Sequence, residues 1–228
     1  MVIFAYNFKH RKTIDIIKRC FDYGFKIDMV VAEEKKKLNL TSLPFKYKKI
    51  DVPSEEPENL CAKLNIPYII SDHNSITTIE YLNQLQPSIG IIAGARILSK
   101  EIINKFSVGI INFHPGDIPE VRGLYSTLKA IKKQKKIIVT AHLIDSKIDA
   151  GKIIEKKEVL INVDDSIFDI SHKSYITELD MIKSSYQQTL NKKFYEVDIK
   201  DYPYDQSIPF NSIEEFNKCF NKYKQKIL

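Results

Sequence analysis

Asn112 and His114 stand two positions apart in the stretch INFHPGDIPEVRG, residues 111 to 123. Because side chains alternate along a strand, Asn-x-His at a strand end places both polar side chains on one face, and the Pro-Gly step that follows ends the strand. An amide beside an imidazole suits acyl transfer, since both can donate hydrogen bonds to the oxyanion that develops on a tetrahedral carbon. The spacing alone fits equally well an Asn and a His that only satisfy the strand end.

A carboxylate is the third group that this chemistry needs. Neither an amide nor an imidazole is the nucleophile in this interpretation, so we expect a substrate amine to attack and a carboxylate to help its proton leave. Asp149, in the polar loop between two predicted strands, is the best candidate, ahead of Asp145 and Asp117.

The elements around these residues follow the order of an α/β fold. Short apolar runs alternate with amphipathic stretches, which predicts a mostly parallel, Rossmann-like sheet flanked by helices, with a short C-terminal appendage. We expect a catalytic domain over 1–190 and a C-terminal extension over 191–228. A single helix is expected from residue 165 to about 190, with Asp164 or Asp165 as its N-cap. The expected strands cover 2–8, 26–32, 66–71, 89–95, 108–114, 137–145 and 151–161.

Composition excludes several classes of protein. The chain has 228 residues, 43% of them hydrophobic and 28% charged, which is typical of a globular domain. Its three cysteines are far apart, so neither a disulfide framework nor a zinc site is indicated, and a reducing cytoplasm fits best. No apolar run is long enough for a membrane span. The net charge of +6 comes from scattered lysines, which favours a solvated surface over a nucleic-acid site.

Motif absences narrow the chemistry further. The sequence holds no G-x-G-x-x-G, no Walker loop, no H-E-x-x-H and no G-x-S-x-G, so a dinucleotide, a triphosphate cradle, a metal and a serine nucleophile are not expected.

INFHPGDIPEVRG followed by VTAHLIDSKIDAGKII resembles the formyltransferases that use N10-formyltetrahydrofolate, and GARILSKEIINKF resembles the segment that lines their folate site. The resemblance is close over residues 60 to 160. It implies that Asn112, His114 and Asp149 are the catalytic triad, and that the loop from Ile144 to Asp149 closes over the folate. The cofactor-binding residues implied are Arg96, Ile97, Leu98, Thr140, His142, Ile144 and Asp145.

Departures from the family pattern bear on the acceptor. Members that formylate glycinamide ribonucleotide carry a Gly-Ser-rich phosphate loop after the first strand, where this chain has NFKHRKT. Members that act on initiator tRNA carry a further C-terminal domain, for which the chain is expected to be too short. What remains resembles the formyltransferases of nucleotide-linked amino-dideoxy sugars, such as dTDP-4-amino-4,6-dideoxyglucose, which serve O-antigen and lipopolysaccharide synthesis. The candidate substrate-binding residues are Asn7, Lys9, His10, Arg11 and Arg122.

Three alternatives stay open. The first is phosphoribosylglycinamide formylation in purine synthesis, the second is a hydrolase that releases formate from the same donor, and the third is a non-catalytic folate or nucleic-acid binding protein. Intact Asn112, His114 and Asp149 argue against the third. The aromatic tail from Tyr195 to Phe220 either packs back on the domain or forms a homodimer, and we favour the homodimer.

Overall fold

The computed structural model describes residues 1–36, 43–48, 51–145, 149 and 151–227. Its strands are β1 (Val2–Tyr6), β2 (Met29–Glu33), β3 (Tyr68–Ile70), β4 (Ile89–Ile92), β5 (Gly109–His114), β6 (Ile138–Leu143), β7 (Lys152–Glu158) and β8 (Tyr195–Glu196). Its helices are α1 (Arg11–Asp22), α2 (Pro57–Lys63), α3 (Ile76–Leu85), α4 (Lys100–Ile103), α5 (Ser126–Lys132), α6 (Ile167–Asp180), α7 (Ile182–Leu190) and α8 (Ile213–Ile227). Among these helices none is long and apolar enough to cross a membrane.

The described strands form one sheet in the order β3-β2-β1-β4-β5-β6-β7-β8. β1 to β5 run parallel, and β6, β7 and β8 follow antiparallel. The predicted mostly parallel, Rossmann-like sheet with flanking helices is therefore confirmed. The strand order reverses between β1 and β4, so the loops after β1, β4 and β5 meet at one edge, where open α/β sheets bind ligands.

Both faces of the sheet are covered. Alternate residues of β1 enter two separate apolar clusters, with Ile3 and Ala5 in one and Val2 and Phe4 in the other. This arrangement explains why the parallel strands read as nearly continuous apolar runs in the sequence.

The long helix expected from residue 165 to about 190 is divided at Met181 into α6 and α7. Its N-cap is Ser166, which forms a capping box with Asp169, so the Asp164 or Asp165 prediction was wrong. Asp165 is otherwise engaged, since its carboxylate accepts hydrogen bonds from Asn162 N and Lys173 Nζ.

The C-terminal extension packs back onto the sheet domain. Phe216 of α8 is buried, with its ring 4.9 Å from that of Phe45 and 5.2 Å from that of Phe220. Phe210 and Tyr223 are buried in the same apolar cluster as the core strands. Of the aromatic side chains that suggested a homodimer, the phenylalanines are buried within the chain, whereas Tyr195 and Tyr202 are exposed, and the dimer itself stays a prediction.

Replacing Phe216 by Ala should lower the free energy of unfolding by about 3 to 5 kcal/mol, because a buried aromatic ring leaves a cavity that the core fills only partly. Urea denaturation measures the change. The matched control is Phe21→Ala on α1, where the ring is 45% exposed and the expected loss is below about 1 kcal/mol. Equal, small losses for both variants would mean that α8 is not part of the cooperative core.

Candidate active site

Two neighbouring strands bring four polar side chains together inside the sheet. The antiparallel register places Asn112 of β5 opposite His142 of β6, and His114 opposite Thr140. Directly opposed residues share a face, so all four side chains project from the same side of the sheet. Their neighbours Ile111, Phe113, Ala141 and Leu143 belong to the main apolar cluster.

The amide of Asn112 is oriented by His142. Asn112 Nδ2 lies 3.1 Å from His142 Nε2. Since an amide nitrogen only donates, Nε2 must accept and the imidazole hydrogen must sit on Nδ1. His142 is fully buried, so this contact fixes both the tautomer of His142 and the direction of the Asn112 amide.

His114 is held by a main-chain carbonyl. Its Nε2 donates to Val121 O at 2.8 Å, and the ring is buried. Gly116 makes this contact possible, because a Cβ there would lie 2.5 Å from both His114 Nε2 and Val121 O. With Nε2 committed as a donor, Nδ1 is the ring nitrogen that faces the third group of the triad.

Asp149 completes the cluster. Its Oδ1 lies 3.5 Å from His114 Nδ1, and its Oδ2 accepts a hydrogen bond from Gly123 N at 2.8 Å. Asp149 has a left-handed backbone, with φ of 46°, which Asp tolerates better than most residues. The structure therefore brings together the three residues predicted to be catalytic.

Two of the predicted cofactor-binding residues have clear structural contacts. Thr140 is fully buried, donates from Oγ1 to Gly116 O at 2.7 Å and accepts from Ile118 N at 3.3 Å, which fixes the loop after β5. The contact of His142 with Asn112 is described above. For both residues, contact with a folate stays a prediction.

The remaining predicted cofactor-binding residues lie in two places. Ile144 and Asp145 line a cavity of about 700 Å³ together with Leu143 and Phe194. Half of the predicted folate loop, residues 146–148, lies outside the described residues.

Arg96, Ile97 and Leu98 follow β4 at the same edge of the sheet as His114. Asn74 holds this segment, since its Nδ2 donates to Ile97 O at 3.0 Å and its Oδ1 accepts from Ser99 N at 2.7 Å. Arg96 Nη2 donates to Lys36 O at 3.2 Å. Leu98 is buried, whereas Ile97 is 65% exposed.

A second cavity, of about 670 Å³, opens beside the triad at Pro115. Three of the predicted substrate-binding residues, Lys9, His10 and Arg11, line it from the loop after β1. Further lining residues, which the sequence reasoning missed, include Lys12, Lys48, Phe168, His172, Tyr175 and Glu178.

Lys12, which lines this cavity, also contacts β5. Its Nζ lies 2.6 Å from Glu178 Oε2 and donates to Phe113 O, between Asn112 and His114, at 3.3 Å. The sequence carried a signal for Glu178, because Ser171, Ser174 and Glu178 recur at helical spacing on the buried face of α6.

Arg11 is fixed by two carboxylates and an aromatic ring. It pairs with Asp15 at 3.4 Å and Asp51 at 2.5 Å, and its guanidinium lies 4.8 Å from the centre of the Tyr175 ring. Tyr175 donates to Asp15 at 2.6 Å, and burial together with this bond raises the pKa of its phenol.

The other two predicted substrate-binding residues contact the protein itself. Asn7 accepts from the Tyr68 hydroxyl at 2.6 Å and donates to Glu34 at 2.7 Å. Arg122 is buried and donates to Asp149 O at 2.7 Å and to Tyr202 O at 2.6 Å. Their contacts with a substrate stay predictions. Within the described ranges, no group of three or more His, Cys, Asp or Glu side chains could hold a metal ion.

The chain is similar to known formyltransferases in sequence and in fold. The sequence profile of the formyl transferase family matches residues 15–183. The chain is 28% identical over 185 residues to the methionyl-tRNA formyltransferase of Lysinibacillus sphaericus (strain C3-41), an alignment that covers 78% of this chain and 55% of that protein. The chain spans about half, or less, of the length of the first curated relatives that it matches.

Two solved structures are similar in fold. A sugar N-formyltransferase from Shewanella sp FDAARGOS_354 superposes with a TM-score of 0.61 at 19% identity, covering 90% of this chain and 75% of that one. The phosphoribosylglycinamide formyltransferase from Bacillus Halodurans superposes with a TM-score of 0.62 at 20% identity, covering 84% of this chain and 95% of that one.

The free energy of unfolding should decrease as the pH falls from about 6.5 to about 4, because His10 is held uncharged in the folded protein. Burial and, secondarily, the charge of Lys12 lower the pKa of His10 to about 4, against 6.5 for an ordinary histidine. As the N-cap of α1, His10 accepts from Thr13 N through Nδ1 and loses this bond on protonation. Between the two pKa values the unfolded chain binds the extra proton, so the free energy of unfolding decreases with falling pH.

The measurement is urea denaturation at several pH values for the unaltered protein and for His10→Asn. Asparagine is also a good N-cap but does not titrate in this range. The variant should therefore gain stability relative to the unaltered protein as the pH falls from 6.5 to 4. Parallel curves would show that His10 does not titrate as described.

Proposed function

Because the chain belongs to the formyl transferase family, we propose that it transfers a formyl group from N10-formyltetrahydrofolate to the amine of a nucleotide-linked amino-dideoxy sugar. The observation that carries the proposal is the convergence of Asn112, His114 and Asp149 beside a cavity lined by cationic and aromatic side chains.

Asn112 and His114 are the proposed oxyanion donors. Asn112 Nδ2 carries two hydrogens, and the one not directed at His142 is available to an oxygen on the transferred carbon. His114 donates through Nδ1. Since Nε2 keeps its hydrogen to serve Val121 O, a donating Nδ1 makes the ring an imidazolium. Each such donor is worth about 3 kcal/mol in the transition state.

Asp149 has two proposed tasks. Its carboxylate, 3.5 Å from Nδ1, offsets the positive charge of the His114 imidazolium. It also accepts, directly or through a water, the proton that the attacking amine loses as the new C–N bond forms. The oxyanion then collapses, the bond between N10 and the formyl carbon breaks, and N10 takes up a proton as tetrahydrofolate leaves. The separation of 3.5 Å is longer than a good hydrogen bond, so Nδ1 is not committed to Asp149 in the unliganded protein.

The cavity at Pro115 is the proposed acceptor site. Lys9 supplies positive charge near one wall, and Arg11 and Lys12 do so in ion pairs with Asp51 and Glu178, which line the same cavity. Phe168 and Tyr175 supply aromatic surface, so the cavity offers cations for a diphosphate and rings for a base. Arg11 is already oriented by Asp15 and Asp51, so it would meet a phosphate with little loss of side-chain entropy.

The donor is proposed to bind on the other side of the triad. Exposed Ile97, held by Asn74, and the cavity beside Ile144 and Asp145 offer apolar surface for a pterin ring. With dTDP-4-amino-4,6-dideoxyglucose as the representative acceptor, the product would be a formylated sugar for O-antigen or other surface polysaccharide. A dissolved nucleotide sugar and a dissolved folate place this reaction in the cytoplasm.

The alternative is phosphoribosylglycinamide formylation, which the similarity of fold to the Bacillus Halodurans enzyme favours. A ribonucleotide phosphate could bind to the same cations after β1. Against this alternative, residues 7–13 contain no glycine. A glycine-rich loop lets a phosphate come close to backbone N–H groups, and this loop lacks that feature.

The experiment incubates the purified protein with N10-formyltetrahydrofolate and a panel of acceptors. The panel contains dTDP- and UDP-linked 3-amino and 4-amino sugars, glycinamide ribonucleotide and methionyl-tRNA. Methionyl-tRNA is included because one sequence relative is named as a methionyl-tRNA formyltransferase. Tetrahydrofolate release is followed, and products are identified by mass. We expect turnover with an amino sugar and at least a hundredfold lower kcat for His114→Ala.

If only glycinamide ribonucleotide or only methionyl-tRNA were formylated, the proposed acceptor would be wrong and the proposed roles of the triad would remain. Full activity of His114→Ala would refute the triad.

A further inference from the structure

The dipeptide Arg122–Gly123 holds Asp149 at both of its polar ends. Arg122 Nε donates to the Asp149 carbonyl at 2.7 Å, and Gly123 N donates to the Asp149 carboxylate at 2.8 Å. The remaining carboxylate oxygen is the one that lies 3.5 Å from His114. The direction in which Asp149 presents this oxygen therefore depends on where the dipeptide lies.

The same dipeptide is joined to the C-terminal extension. Arg122 Nη1 donates to Tyr202 O at 2.6 Å, and Gly123 forms an isolated parallel β-bridge with Asp205. Gly123 has a φ of 91°, and a Cβ there would lie 2.1 Å from Asp205 O. Glycine at this position thus allows the segment 202–205 to pack directly on the backbone that holds Asp149.

Lys129 of α5 anchors the segment 202–205. Its ammonium lies 2.9 Å from Asp205 Oδ2 and 2.7 Å from Asp205 O, and the lysine side chain is almost fully buried. Burial works against the charge of Asp205, but hydrogen bonds from Lys129 and Ser207 outweigh it and lower the pKa of Asp205 to about 2. The ion pair is therefore intact at neutral pH.

We propose that the segment 202–205 is a positioning part of the active site, which acts through Arg122–Gly123 to hold Asp149 against His114. Arg122 thereby acts as a positioning residue rather than as the substrate-binding residue predicted from the sequence. The proposal rests on the catalytic role proposed above for Asp149. Displacement of a catalytic group by about 1 Å can cost about a hundredfold in rate, so loosening the segment should lower kcat.

The first test needs no substrate. Amide hydrogen exchange at Gly123, followed by NMR, is compared for the unaltered protein, Lys129→Met and Lys132→Met. Lys132 is the matched control, since it also lies on α5 and also anchors the extension, but at Pro209 and Glu215. We expect exchange at Gly123 to accelerate at least tenfold in Lys129→Met and to change less than twofold in Lys132→Met. Equal rates in all three proteins would overturn the proposal.

The second test is a double-mutant cycle on kcat, with N10-formyltetrahydrofolate and dTDP-4-amino-4,6-dideoxyglucose as substrates. Lys129→Met should lower kcat about tenfold in the unaltered protein and less than twofold in Asp149→Asn, because it acts through Asp149. Both KM values should stay within twofold. An equal loss in the two backgrounds would overturn the proposal.

Arg122→Lys distinguishes positioning from substrate binding. A lysine cannot serve two divergent carbonyls as a guanidinium does, so kcat should fall at least tenfold while the acceptor KM stays within twofold. A tenfold rise in the acceptor KM with kcat unchanged would assign Arg122 to the substrate instead. Undiminished kcat in Asp149→Asn would refute the catalytic role proposed for Asp149, absence of turnover with any acceptor would refute the proposed function, and the exchange result at Gly123 would still test the positioning of Asp149 in either case.

Discussion

The antiparallel pairing of β5 with β6 is the constraint on which the rest of the site depends. A sheet that continued in parallel would not place His142 opposite Asn112 and Thr140 opposite His114. Polar groups inside an apolar sheet are costly unless each has a partner. This register supplies the partner of Asn112 in His142, whereas His114 and Thr140 find theirs in the loop after β5. The change of strand direction after β5 therefore creates a buried polar patch that the strand pair and the adjoining loop satisfy together.

The loops at this edge of the sheet act through their backbones as much as through their side chains. His114 is fixed by Val121 O, the loop after β5 by the contact of Thr140 with Gly116 O, and Asp149 by Gly123 N. Main-chain groups cannot change rotamer, so the side chains of the proposed triad are held by partners with little freedom. Glycine at two of these positions follows from close approach, since a Cβ at Gly116 or Gly123 would meet a carbonyl oxygen at 2.5 Å or less.

Local pattern predicted much of this arrangement. Strand alternation placed Asn112 and His114 on one face, and the run of apolar segments predicted the α/β sheet. Local pattern predicted neither the N-cap of α6 nor the division of α6 from α7. Asp165 and Ser166 are both good N-cap residues, and the contact of Asp165 with Lys173 that engages the aspartate is a feature of the folded chain. The pairing of Lys12 with Glu178, 166 positions along the chain, is a tertiary contact that no local spacing encodes.

The variant Asn112→Asp tests most directly whether Asn112 stabilises an oxyanion through its amide hydrogen, as proposed. The aspartate keeps the shape of the side chain but replaces the donor with a negatively charged acceptor. The measurement is the single-turnover rate of formyl transfer to the acceptor identified for this protein, with donor binding measured in parallel. We predict a rate about 10² to 10³ lower, with the dissociation constant of the donor changed only a few fold. A rate within tenfold of the unaltered protein would contradict the account.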